Sequence, residues 1–217
     1  DELMTTIDLY RNIHKAIRAE LFAITTSAAR IDPTDPIARE ALADHVRDVA
    51  ALLVSHADHE DTHIQPVLER ELPDLAARIA VEHPALEGEL DGLVELAAGG
   101  DVATLHLALA CFTGRYLLHQ DVEERVVMPA LAAAIGPDAV LAIHVAIVSS
   151  IPPAEMGRSL AIMLPAMNVD DRTEILGGMK ATAPAEVFDG VWSLARSVLD
   201  PGDLDAVARR LGLEVAA

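Results

Sequence analysis

Residues 56–66 read HADHEDTHIQP, three histidines interleaved with Asp58, Glu60 and Asp61. Two metal-binding registers overlap in this stretch. His59, Glu60 and His63 spell H-E-x-x-H, the zinc-peptidase arrangement in which two histidines one helical turn apart hold zinc and the glutamate serves as base. His56 and Glu60 instead make H-x-x-x-E, also one turn apart, a mixed imidazole and carboxylate pair suited to iron. Glu60 and His63 also form E-x-x-H, a spacing used by ferritin-like di-iron bundles.

A second copy of one register decides between them. HADHEDTHIQPVL from His56 and HQDVEERVVMPAL from His119 both fit H-x-x-x-E-[DE]-x-x-x-x-P-x-L, 63 residues apart. Only the His56/Glu60 spacing recurs, as His119/Glu123; Gln120 follows His119, so the later segment holds no H-E-x-x-H, and Val126 rules out a second E-x-x-H. The peptidase reading further needs a neighbouring sheet and a third ligand, for which Glu82 or His83 would have to serve, and no strand-like alternation is visible. It stands as a minor alternative.

At about 100° per residue, a glutamate four positions after a histidine lies some 40° round the helix, so both side chains can face one axis. His14 stands among apolar residues in an earlier segment and His83 in the segment between the repeats. Four histidines and two glutamates make a full donor set for two metal ions. Each ion would take two imidazoles, Glu60 and Glu123 would bridge, and at least one ion would keep an open position.

These donors need four rods to carry them. Tyr10, Ile13, Ile17, Leu21 and Ile24 recur at helical spacing and predict a first helix over about 8–29, stopped by DPTDP at Asp32–Pro36. A second is expected over about 37–65. Pro66 and Pro73 bracket a turn, a third helix follows over 75–97 with a kink at Pro84, and a fourth runs over 102–134 to Gly136-Pro137. Short connections between four long helices predict an all-α, up-down-up-down four-helix bundle over residues 8–135. Residues 137–217, broken by Pro152-Pro153, Pro165, Gly177-Gly178, Pro184 and Pro201, read as a C-terminal subdomain of shorter helices packed on the bundle, shielding one of its faces or forming a homodimer contact.

Composition narrows the partners. Of 217 residues, 52% are hydrophobic and only 3% aromatic, which fits a helical globular chain. The formal charge of −19 repels phosphate backbones and anionic lipid, so neither nucleic acid nor membrane is expected as a partner. Cys111 is alone, which excludes an intrachain disulfide framework and suits a reducing, cytoplasmic setting. DELMTTIDLY lacks the basic segment and apolar core of a secretory signal, and Met4 reads as the natural start. The apolar run 139–151 is too short to span a bilayer and carries His144, so it reads as a buried helix.

The order His14, His56 with Glu60, His83, His119 with Glu123 resembles the hemerythrin-like family of HHE cation-binding bundles, in particular its actinobacterial members. The resemblance covers residues 8–134 by motif, and the C-terminal segment with M-L-P at Met163–Pro165 is similar to an extension found in some members. It implies two iron ions, oxo- or hydroxo-bridged when oxidised, held by those six residues. Oxygen-carrying members follow H, H-x-x-x-E, H-x-x-x-H, H-x-x-x-x-D. Here Glu87 occupies the place of the second histidine of the third pair, and the last carboxylate follows His119 by four. Carboxylate in place of imidazole makes the site harder, favouring higher iron oxidation states over reversible oxygenation.

Single histidines outside this set, His45, His59, His63, His106 and His144, read as packing, capping or surface residues, with His106 expected to be exposed. His45 and His63 share the His56 face and could flank an access path. Tyr10 and Tyr116 each stand near a proposed ligand, and Phe112 shares the Tyr116 face. Core packing is the simpler role for the tyrosines, and donation of a proton or electron to bound peroxide the functional one. Glu87 is either an extra ligand or the partner of a metal-bound imidazole. The expected function is a cytoplasmic non-haem di-iron protein that binds or turns over O₂, peroxide or NO, with catalase-like H₂O₂ removal the enzymatic form. The competing class is a sensor without turnover, in which metal loading or oxidation alters the C-terminal helices and a protein partner.

Overall fold

The computed structural model of the chain describes residues 7–213, and these are helical with no β-strand among them. Met4, read as a start, lies outside the described residues. Four long helices carry the site: α1 (Arg11–Arg30), α2 (Pro36–His63), α4 (Pro73–Gly99) and α5 (Val102–Val122), with the short α3 (Gln65–Glu71) between the second and third. The α5 axis continues through a π-helical turn (Glu123–Val127) into α6 (Met128–Ile135). α1 packs on α2, α2 on α4, α4 on α5, and α5 closes back on α1, the cycle of an up-down-up-down bundle.

Local signals set the helix ends. Asp35 caps α2 by accepting from the N–H groups of Ile37 and Ala38, with Pro36 at the first helical position, where a missing N–H costs nothing. Asp101 caps α5 through the Thr104 N–H. Gly100 ends α4 with φ 77°, a left-handed conformation that glycine adopts without a Cβ clash. α4 runs as one helix through Pro84, which faces outward. The repeated prolines interrupt their helices at matching points. Pro66 and Pro129 lack an N–H and crowd the carbonyl four residues earlier. The first repeat breaks at Ile64, whereas the second widens so that the Met128 N–H reaches Glu123 O, five residues back.

The bundle core forms two apolar clusters. One contains Ile17, Leu21, Leu53, Leu86, Leu109, Phe112 and Tyr116; the other contains Tyr10, Ile64, Leu68, Ile79, Val127 and Leu131. Each fully buried leucine or isoleucine contributes roughly 1.5–3 kcal/mol, so the two clusters hold the four rods in register at both ends of whatever lies between them.

The chain divides into two compact units between Ser149 and Ser150. α7 (Pro137–Ser150) therefore falls with the first, its Val140 and Ile143 buried alongside Leu131 and Ile79, whereas the sequence opens the C-terminal section at 137. Its outer residues Leu141, Val145 and Val148 are exposed, so the run 139–151 is only half buried. The second unit contains α8 (Pro153–Ala166), α9 (Val169–Thr182), α10 (Ala185–Val198) and α11 (Pro201–Leu211) around Leu160, Leu164, Leu176, Ala195 and Val207. Within it Arg172 is buried; its Nε donates to Leu164 O at 2.7 Å, which satisfies the C-terminal carbonyls of α8, and its guanidinium pairs with Asp203 at 2.7 Å. No single helix among the described residues is long and apolar enough to cross a membrane.

Candidate metal centre

Every bundle helix passes from one apolar cluster to the other, and each carries polar side chains at the crossing. On α1, His14 falls between Tyr10 and Ile17; on α2, His56 and Glu60 fall between Leu53 and Ile64. On α4, His83 falls between Ile79 and Leu86, and on the last rod His119 and Glu123 follow Tyr116 and precede Val127. The result is one polar layer sealed above and below by hydrocarbon. His14, Glu60, His83, His119 and Glu123 are buried, and the His56 side chain is 9% exposed.

The donor atoms converge. His14, His56, Glu60 and Glu123 each offer an atom within 4.8 Å of the other three, and so do Glu60, His83, His119 and Glu123. The two groups share both glutamates. Glu60 stands 3.0 Å from His56 Nε2 through Oε1 and 3.3 Å from His83 Nε2 through Oε2. Glu123 stands 3.0 Å from His119 Nε2 through Oε1 and 3.4 Å from His14 Nε2 through Oε2. Each carboxylate thus reaches across the layer from one histidine pair to the other, the disposition of a bridging ligand.

Outer carboxylates fix three of the rings. His14 Nδ1 donates to Glu124 at 2.9 Å, His83 Nδ1 to Asp61 at 2.8 Å, and His119 Nδ1 to Glu82 at 2.8 Å. A carboxylate only accepts, so a proton sits on Nδ1, and it is Nε2 that faces the layer and becomes a metal donor once its own proton is displaced. Asp61 and Glu124 are the [DE] residues that follow the glutamate in each copy of the repeat, and each serves a histidine on a neighbouring helix. The repeat displayed them, but only as a conserved-looking pair of letters within the motif; Glu82 had no such signal for this role. Glu87, which the sequence offers as an imidazole partner or ligand, is replaced in the first role by Glu82 and joins neither donor group.

Electrostatics follow from burial and proximity. Burial pushes the imidazole of His83 toward neutrality, but Glu123, Glu60 and Asp61 outweigh it and raise its pKa from 6.5 to about 11. Burial opposes charge on His56 and His119 too, and Glu60 beside the one and Glu123 beside the other win, raising both. Glu60 is desolvated, yet the imidazoles of His56, His83 and His14 hold it well below the usual carboxylate range. Burial, reinforced by the two glutamates, pushes the Tyr10 and Tyr116 phenols well above 10.0.

The layer fits a cation better than it fits itself. Glu60 Oε1, Glu123 Oε2 and His83 Nε2 are buried without a hydrogen-bond partner. With its Nδ1 proton committed to Glu124, His14 directs a lone pair at His56 Nε2, 3.1 Å away. The two carboxylate oxygens lie within ion-pair range of imidazole nitrogens, and His83 Nε2 within range of Glu60, yet all three lack a well-formed hydrogen bond, which is costly for buried polar atoms. Converging nitrogen and oxygen donors are what a transition-metal ion of intermediate hardness binds.

The other register is not assembled. His59 and His63 join no donor group among the described residues, because Glu60 turns inward to His56 and His83 while His59 is turned about 100° off that face. With no strand beside α2 among the described residues and no third donor gathered with His59 and His63, the zinc-peptidase alternative through His59, Glu60 and His63 finds no support in the structure. His106 is corrected, being part-buried with Nδ1 donating to Thr25 O at 3.3 Å in the α1/α5 contact. His45 pairs with Glu20 at 2.7 Å. Tyr10 lies against His14 with ring centroids 5.3 Å apart and Tyr116 against His119 at 5.7 Å, with Phe112 stacked at 5.7 Å behind it.

Compared with known domain families, residues 5–131 match the Hemerythrin HHE cation binding domain. The comparisons with curated proteins and with solved structures returned no match.

Proposed function

The chain belongs to the hemerythrin HHE cation-binding family, and from that premise we propose that it is a non-haem di-iron protein that binds and turns over a small oxygen-derived ligand, with H₂O₂ removal as its reaction. The observation that carries this reading is the pair of four-donor groups sharing Glu60 and Glu123. Two histidines and two shared carboxylates per ion give a symmetric, oxygen-rich set, and two adjacent irons supply a two-electron couple when bound.

The residues of this chain have separate tasks. His14 with His56 would hold one ion and His83 with His119 the other, with Glu60 and Glu123 shared between them. Glu124, Asp61 and Glu82 keep three imidazoles in the metal-binding tautomer. The apolar clusters exclude bulk water and confine the chemistry to molecules of a few atoms. Tyr116, whose ring lies against His119, is the residue we assign as a phenolic proton donor. Disproportionation balances without another reactant: two H₂O₂ give two H₂O and one O₂, one peroxide being reduced by two electrons and the other oxidised by two. The metal function is assigned to the bundle of residues 8–135, with the helices that follow read as an extension, and the lone exposed Cys111 suits a reducing, cytoplasmic setting.

The test combines elemental analysis with oxygen evolution. Iron-loaded protein should hold two irons per chain, absorb in the near-ultraviolet as oxo-bridged ferric pairs do, and evolve O₂ from peroxide; Glu123→Ala should lose the metal and the activity together. Two irons without O₂ evolution would move the reading from turnover to sensing, and a colourless protein without transition metal would end it.

A further inference from the structure

Acids outnumber bases along the chain, but α1 reverses the ratio. It carries Arg11, Lys15, Arg18 and Arg30 against the single acid Glu20, in a molecule of formal charge −19. Between α1 and the antiparallel start of α2 runs a groove of about 760 Å³, none of whose lining residues is acidic. Its walls are small, chiefly Ala23, Thr26, Ser27, Ala38 and Ala41, and Phe22 stands beside them, 51% exposed. The other described aromatic side chains are buried or half-buried, and the exposed Ile37 extends the apolar face. Arg30, which also lines the groove, pairs with no other described residue.

The exposed face of α1 has the spacing of a helix-pairing seam. Ala19, Ala23, Thr26 and Arg30 are all exposed and succeed one another at intervals of four, three and four residues. That pattern reads the same in either direction, the property an isologous contact needs. A two-fold axis crossing α1 between Ile24 and Thr25 sets Ala23 opposite the partner's Thr26 and Ala19 opposite the partner's Arg30. Small side chains let the two helix axes come within about 8 Å. Phe22 then falls opposite the partner's Ser27, a wall of the groove, so each copy supplies both a bulky side chain and a slot of small residues to receive one. Arg30 falls beside the partner's Glu20, whose carboxylate is 26% exposed and held by His45 at 2.7 Å, which gives two symmetric ion pairs.

We propose that two copies of the chain associate through this face, antiparallel along α1, with each Phe22 seated in the other's groove. Charge selects the face: two molecules at −19 repel, and self-association is least opposed where a groove holds no acid and a free cation. α1 is about 30 Å long at 1.5 Å per residue. Two helices, each about 10 Å wide, make the face roughly 600 Å² per copy or about 1,200 Å² in all, the lower bound of a specific interface and an area that suits a reversible dimer. The contact does not depend on the metal reading. It assigns to the bundle the homodimer contact expected of residues 137–217.

Sedimentation velocity on the full chain over a range of concentrations tests this. Wild type should pass from monomer to dimer as concentration rises. Ala23→Glu sets two carboxylates close together across the axis and should weaken the dimer at least tenfold, with far-ultraviolet circular dichroism unchanged because the position is exposed. Arg30→Glu should weaken it roughly three- to tenfold by turning two partly exposed ion pairs into repulsions. Arg30→Glu combined with Glu20→Arg should regain affinity, which damage to the fold would not allow. Val145→Glu, on the exposed face of α7, should dimerise as wild type does. A wild type that stays monomeric at millimolar concentration overturns the proposal, whether or not the groove takes up an apolar dye. So does a dimer that Ala23→Glu and Arg30→Glu leave intact, or one that Val145→Glu dissociates.

Discussion

Glu124 offers the sharpest quantitative test of the centre. It accepts from His14 Nδ1 at 2.9 Å and from Arg18 at 2.7 Å, and the Arg18 side chain is 30% exposed. Glu124→Ala removes both contacts. The ion pair with Arg18 is partly solvated, so its loss is worth at most about 1 kcal/mol. The hydrogen bond to His14 orients a metal ligand, and removal of such a partner typically weakens metal binding 10–100-fold, which is about 1.4–2.8 kcal/mol. Competition against a chromophoric chelator should therefore resolve two steps in Glu124→Ala, one at wild-type affinity and one weakened by 10–100-fold, since His14 belongs to only one donor group. Glu124→Gln retains an acceptor oxygen without the charge and should lie between the two. Arg18→Ala controls for the ion pair and should bind metal within about threefold of wild type. A Glu124→Ala protein no weaker than Arg18→Ala, or one in which both metals weaken equally, would refute the role given to the outer carboxylate.

Glu123→Ala should bind less than half the wild-type metal, because both donor groups contain Glu123, whereas Thr104→Ala at the distant α5 cap should leave metal content unchanged; elemental analysis reads both. His59→Ala and His63→Ala should each retain full metal content, and loss of metal from either would revive the alternative register. Raised imidazole pKa values stabilise the metal-free fold fully below 6.5, and that contribution is lost as pH rises toward about 11 for His83; the lowered Glu60 contributes above 4.5 and is lost as pH falls below it. Thermal melts with a chelator present should therefore show the metal-free bundle most stable between those two values, while metal, which displaces the protons, should stabilise increasingly as pH rises from about 6 to 9. A metal-free protein as stable at pH 9 as at pH 6 would contradict this. Leu109→Ala, at a fully buried position in the larger cluster, should cost about 2–5 kcal/mol in denaturant melts of the bundle unit.

Much of this was legible in the chain because the chemistry is periodic. His56/Glu60 and His119/Glu123 repeat a one-turn spacing, and the same 100° geometry that groups them on a face also groups Ile17, Leu21 and Ile24 on theirs. The helix ends were marked by residues with a local physical effect, Asp35 and Asp101 as caps and Gly100 as a left-handed stop. What was harder to read lay at helix boundaries and between helices. The short α3 and the π-helical turn both follow from prolines whose effect depends on how the chain accommodates a lost N–H, and the two copies of one motif accommodate it differently.

Sequence alone determined that the chain is all-α, that its bundle carries an imidazole and carboxylate layer, and which of two overlapping registers faces inward, since each depends on spacing along a single helix. Tertiary structure decided what depends on distance between helices: that both glutamates reach across to the opposite histidine pair, that Asp61, Glu82 and Glu124 set the ring tautomers, that Glu87 is left beside a cavity, and that His106 is half-buried. Helical periodicity fixes the direction of a side chain about its own axis. It carries no information about how close the next axis comes or at what height, and those two quantities decide whether an acid becomes a bridge, an orienting partner or a bystander.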